Sequence, residues 1–116
     1  MNMSIDQKEL LAKVPTQLLI GGQWRDASSS ETFDVGNPAT GATIATLSSA
    51  NSDDAVAALD AACAVQDEWA RTTPRERADI LRRAFELLHE RADEFATLMT
   101  LEMGKPFAES QGEVTY

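Results

Sequence analysis

The spacing of apolar residues changes once along this chain, near Asn51, dividing it into a strand-rich first half and a helical second half. Residues 1–16 read as a polar leader with a weak helical tendency that Pro15 ends. Leu18-Leu19-Ile20 and Gln23-Trp24-Arg25 flank Gly21-Gly22, a pair able to adopt the positive φ angles of a two-residue hairpin turn. After the polar loop Asp26–Ser30, Phe33 and Val35 alternate with polar neighbours as in a half-buried strand. The turn-forming run Asn37-Pro38-Ala39-Thr40-Gly41 stops it, and a short strand over Ala42–Leu47 is expected next.

From Asn51 onward the period is helical. Ser52 is the expected cap of a first helix, with Asp53 and Asp54 in its first turn against the positive end of the dipole. Val56, Leu59, Cys63, Gln66 and Ala70 share one face of it, and Ala55, Ala58, Ala62 and Trp69 widen that face. Thr73-Pro74-Arg75-Glu76 combines a threonine cap, a proline at the first helical position and a glutamate three residues on, the signature of a capping box. The helix it starts is expected to bury Leu81, Ala84, Phe85, Leu88 and Ala92, with Ile80 and Leu87 extending the arc to about half the circumference. A third helix is expected over Asp93–Met103, ended by Gly104, and a fourth over Pro106–Tyr116. The fold class is therefore α/β: a hairpin and short strands followed by about four helices.

Composition alters this picture in one respect. Alanine supplies eighteen of the fifty hydrophobic residues, and Leu, Ile, Val and Phe together only twenty-four. The aliphatic core is thin, which fits either close-packed alanine-lined helices or a piece of a larger body. Net charge is -9, with fourteen acidic and seven basic groups after residue 50, so a phosphate backbone would be repelled and nucleic-acid binding is not expected. The arginines alternate with acids and form no basic block, no apolar run reaches about 18 residues, and Asp6, Lys8, Glu9 and Lys13 interrupt any signal-peptide core. No membrane association is expected, and a cytoplasmic location is the default, in keeping with a single cysteine.

Few residues offer chemistry. Cys63 is the sole thiol, lies mid-helix among alanines with Asp60 and Asp67 a turn away on either side, and reads as a small core residue rather than a nucleophile. His89 borders an apolar arc beside Glu86, Glu90 and Arg91, and a lone histidine builds no metal site, so it reads as a helix-surface residue. Asp53, Asp60 and Asp67 recur every seven residues as a stripe, more simply a solvated face than a cation or basic-partner site. Gly104-Lys105 lacks the earlier glycine and the following Ser or Thr of a phosphate loop, and reads as a helix stop. Glu102 is the most informative. Phe95, Leu98, Met99 and Glu102 follow i, i+3, i+4, i+7 spacing, which puts a carboxylate on the expected apolar side near the negative end of its helix. Lys105, a backbone donor or a bound monovalent cation should compensate it. No residue qualifies as a catalytic, cofactor-binding or metal-binding group on this reading.

The run Leu101-Glu102-Met103-Gly104-Lys105-Pro106-Phe107-Ala108-Glu109-Ser110-Gln111-Gly112-Glu113-Val114 resembles the Leu-Glu-x-Gly-Lys-Pro-x-x-Glu-Ala-x-x-Glu-Val segment of aldehyde dehydrogenases, with Ser110 in place of the usual alanine. Leu19-Ile20-Gly21-Gly22-Gln23-Trp24, Val35-Gly36-Asn37-Pro38-Ala39-Thr40-Gly41, the helix with Trp69 and Arg75-Glu76-Arg77-Ala78 fall in the same order as in that family. The likeness extends from about residue 18 to the end and is greatest to the succinate-semialdehyde branch. It implies an N-terminal fragment, residues 17–116, of a Rossmann-like cofactor-binding domain in an enzyme several times longer. That enzyme would oxidise succinate semialdehyde to succinate with NAD or NADP through a cysteine thiohemiacetal and thioester, and would form a homo-oligomer. The family's nucleophile, general base and phosphate site match nothing here, so this chain alone should bind no cofactor and show no turnover. Glu102 matches an acidic position that lies near a monovalent-cation site in some members. The alternatives are another aldehyde dehydrogenase subfamily or a non-catalytic helical interaction module.

Overall fold

The computed structural model describes residues 5–116; the first four residues of the polar leader lie outside the described residues. The remainder of the leader carries helix α1 (Gln7–Lys13), where Asp6 Oδ1 accepts the backbone N–H groups of Lys8 and Glu9 at 2.9 and 3.1 Å. Two of the donors that a helix start leaves unpaired are thereby satisfied. Strands β1 (Leu18–Ile20) and β2 (Gln23–Arg25) form the expected hairpin, with Leu19 opposite Trp24. Gly21 and Gly22 take φ angles of 59° and 77°, the left-handed values that a two-residue turn of this twist requires.

A second antiparallel pair joins β3 (Thr32–Gly36) to β4 (Thr43–Ser48), one residue later than the expected Ala42–Leu47, with a register shift between Val35 and Gly36. Ser48 N–H donates to Thr16 O at 2.9 Å, tying this pair to the segment before β1. Within the connecting turn, Asn37 Oδ1 accepts the Ala39 N–H at 2.9 Å and Gly41 adopts φ 73°.

Four helices follow: α2 (Ser52–Arg71), α3 (Pro74–Glu90), α4 (Ala92–Met103) and α5 (Phe107–Thr115). The cap of α2 is Asn51, not Ser52: Asn51 Oδ1 accepts the Asp54 N–H at 3.0 Å while Asp54 Oδ2 accepts the Asn51 N–H at 3.1 Å. An amide oxygen facing a carboxylate three residues on closes the reciprocal pair, which Ser52, one residue later, has no partner to form. The Thr73 capping box forms as expected, with Thr73 N–H donating to Glu76 Oε2 at 2.9 Å. At the α2–α3 corner the Arg77 guanidinium donates to Thr72 O at 2.6 Å, placing a cation at the negative end of α2. Ala92, expected at the end of α3, instead begins α4 after a break at Arg91. Gly104 ends α4 at φ 74°, and Pro106, rather than opening α5, precedes it with extended backbone.

The buried apolar residues are few: Leu10, Ala27, Ala96 and Leu101. Leu10 brings α1 against α4, and α4 against α5 is the main helix–helix contact, sealed where the hydroxyls of Thr100 and the fully buried Ser110 meet at 2.9 Å. The body measures 45 × 39 × 20 Å, and its thickness is that of about two helices. In a slab this thin, most helices meet a neighbour on one side only. The expected burial of Leu81, Phe85 and Leu88 on α3 accordingly fails, since their exposures are 69%, 52% and 44%. Outward residues of α2, Val56, Leu59 and Trp69 among them, are also exposed.

Candidate functional site

Two junctions, one polar and one of close packing, hold the strand half against the helical half. The first is built on Asp54, 1% exposed in the first turn of α2. Its carboxylate accepts the Asn51 N–H, the Ser28 N–H at 3.1 Å to Oδ1, and an Arg25 guanidinium N–H at 3.2 Å. The Asn51 backbone donor does most to hold the Asp54 carboxyl below its ordinary value of 3.8; burial opposes it, and Ser28 and Arg25 add to the lowering. Asp54 thus fastens β2 and the loop after it to the start of α2. The pattern Asn51-x-x-Asp54, a capping amide with an acid three residues on, was its signal in the sequence.

The second junction joins two stretches of the sequence motif. A Cβ added at Gly104 would lie 3.0 Å from Pro38 Cγ, so the Gly-Lys-Pro turn after α4 rests on the Asn-Pro-Ala-Thr-Gly turn between β3 and β4. Gly104 therefore meets two demands, a left-handed φ and close approach by a neighbouring ring. Lys105 pairs with Glu113 of α5.

The singled-out residues do not converge. Cys63 is exposed, not a core residue, because nothing among the described residues lies against that face of α2. His89 is on the surface as expected, its ring edge-on to Phe85 at 4.3 Å between centroids. Asp53, Asp60 and Asp67 form an exposed stripe. Glu102 is exposed, contrary to the expected apolar placement: at about 100° per residue it lies on the opposite side of α4 from the buried Ala96, Thr97 and Leu101. Thr100 of α4 faces α5, close enough for its hydroxyl to meet that of Ser110. Among the described residues no three His, Cys, Asp or Glu side chains come together as a metal cluster, and no helix is long and apolar enough to cross a membrane.

A shallow groove of about 340 Å3 runs between the hairpin and α2, lined by Leu19, Ile20, Ala58, Ala61 and Val65 among others. It has no titratable lining residue, so it can bind by shape and burial but can move no proton.

An open slab fastened by Asp54 and Gly104, with the motif segments meeting at a turn, is an arrangement with close counterparts. The chain matches the aldehyde dehydrogenase family over residues 24–116 and belongs to that family. Among its relatives, it is 68% identical over 73 residues to the succinate-semialdehyde dehydrogenase of Paenarthrobacter nicotinovorans, a stretch covering 63% of this chain and 16% of the relative. It is 46% identical over 100 residues to the NADP(+) succinate-semialdehyde dehydrogenase of Escherichia coli strain K12, covering 86% of this chain and 21% of that protein. The crystal structure of succinate-semialdehyde dehydrogenase from Burkholderia pseudomallei superposes with a TM-score of 0.88 at 39% identity, over 97% of this chain and 23% of that one. The chain thus spans about a fifth of the length of the relatives it matches.

Proposed function

We propose that this chain is the opening segment of the cofactor-binding domain of an NAD(P)-dependent succinate-semialdehyde dehydrogenase, and that it serves to brace that domain. The 68% identity to a relative of that activity carries the reading. In the whole enzyme a cysteine thiolate would attack the aldehyde carbon, and the thioester left after oxidation would be hydrolysed to succinate. A bound nicotinamide would supply the hydride acceptor. Among the described residues here, the contribution is positional: Asp54 and Gly104 fix the strand half against the helices, and the packing of α4 on α5 keeps the second motif in place. A homo-oligomer and the remaining polypeptide are the expected partners.

Two assays test this. The purified chain, given succinate semialdehyde and either nicotinamide cofactor, should reduce none of it; reduction that Cys63→Ser abolishes would overturn the braced-segment reading. Conversely, the Escherichia coli relative carrying this chain in place of its matching 100-residue stretch should keep turnover within about ten-fold of its parent. A folded chimera with no turnover on succinate semialdehyde would remove the assignment.

A further inference from the structure

We infer that residues 7–16, helix α1 and the extended stretch behind it, form a detachable strap: clipped to α4 by Leu10 and to β4 by Thr16, it opens as one unit while both halves of the slab stay folded.

At the first clip a single side chain does the holding. Leu10 is 4% exposed and sets α1 against α4, whereas Gln7, Lys8, Glu9, Ala12 and Lys13 are exposed. The Lys13–Glu9 ion pair lies in water on both sides and adds little. Isolated helices shorter than about 12 residues are marginal in water, so the seven residues of α1 are helical only while docked. Undocking and unwinding are then one event. At the second clip the Ser48 N–H of β4 donates to Thr16 O at 2.9 Å, while the next amide, Ser49 N–H, donates to Glu31 O at 2.8 Å and makes no use of the strap.

The strap therefore crosses from the helices to the strands by a route separate from Asp54 and Gly104. The ladder of β3 with β4 and the contact of α4 with α5 at Thr100 and Ser110 do not run through it. The relatives treat it as a separate part. The family match begins at residue 24, beyond the strap, yet the Burkholderia pseudomallei structure superposes over 97% of this chain, which cannot leave out the seven residues of α1. A place that is kept while the sequence lies outside the family pattern suits a segment held by one apolar anchor and one backbone bond, not by a set of matched side chains.

Native-state hydrogen exchange of the full chain, followed amide by amide at rising urea, tests the strap. The amides of Leu10 and Leu11 on α1 and of Ser48 on β4 should share one opening, with protection agreeing within about three-fold and a shallow urea dependence, because little area is exposed. Ala96, buried on α4, should be at least about ten-fold more protected, with a steeper dependence. Asp6→Ala removes an exposed cap that bonds only the Lys8 and Glu9 amides of α1. It should speed exchange at Leu10 and at Ser48 alike, by about five-fold, and leave Ser49 and Ala96 unchanged. Leu10→Ala should speed the same two amides by at least about ten-fold. Exchange at Leu10 with the urea dependence of Ala96, or a Leu10→Ala chain that does not fold, would make α1 an integral part of the body. A Ser48 amide indifferent to both variants would make α1 a frayed end with no second clip. Any of these results overturns the strap, and none of them touches turnover, which tests the proposed function separately.

Discussion

Asp54 keeps a negative charge out of water because donors converge on it from three directions: the Asn51 N–H of its own cap, the Ser28 N–H of the loop and the Arg25 guanidinium of β2. Its carboxyl is held below the ordinary value, chiefly by the Asn51 backbone donor, and a carboxyl with a lowered folded-state pKa stabilises the fold at every pH above its unfolded value. That stabilisation is lost as pH falls through the lower folded value. Glu76 is shifted in the same direction by the Thr73 N–H, so acid weakens both caps. Asp54→Asn should therefore lower the urea midpoint at neutral pH, and the gap to the wild type should narrow as pH drops below the ordinary carboxylate value of 3.8. A gap that stays constant from neutral pH to well below that value would show that geometry, not charge, is what Asp54 supplies.

Between elements, the tightest requirement falls on Gly104. Alanine there would have to take φ near 74° and bring its Cβ within 3.0 Å of Pro38 Cγ. Gly104→Ala should cost about 1–2 kcal/mol from the left-handed backbone, and more from the ring contact. Pro38→Ala in the same chain should recover the contact part only. If Gly104→Ala is neutral in chemical denaturation, the turn does not brace α4 against the strand half. This junction was legible in part. The sequence placed Gly104 at a helix end and Asn37–Gly41 at a turn by local rules, whereas their meeting depends on the path of everything between them. The hairpin, the Thr73 box and the Gly104 end of α4 were readable for the same reason, because each is settled within a few residues. Asn51 was passed over because Ser52 is an equally good capping type, and only the reciprocal bonds choose between them. On α4 the apolar side was assigned from the i, i+3, i+4, i+7 spacing of Phe95, Leu98, Met99 and Glu102, which placed the carboxylate on it. The structure buries Ala96, Thr97 and Leu101 instead, on a helix that α5 meets through the Thr100–Ser110 hydroxyl contact.

At the scale of the whole molecule, periodicity says which side of a helix is apolar but not what will cover it. Cys63, Leu81 and Phe85 were expected in a core for sound local reasons, and all three are exposed. The 17.3 Å radius of gyration makes the same point against the ~13 Å of a compact chain of this length. Measured against an unfolded surface of ~18,000 Å2, the observed 8858 Å2 means that folding buries about half of the chain's surface, where a compact fold of its mass would bury about two-thirds. The denaturant dependence of unfolding scales with the area exposed. The urea m-value of the isolated chain should then fall about a fifth below that of ordinary domains of this length, with weak cooperativity and strong binding of a hydrophobic dye at neutral pH. Equilibrium urea titration followed by both tryptophan fluorescence and circular dichroism measures this directly, because Trp24 and Trp69 sit on opposite sides of the strand–helix boundary. A single steep transition with the m-value of a compact domain would mean that the open faces close on themselves in solution, leaving no surface for the rest of an enzyme to occupy.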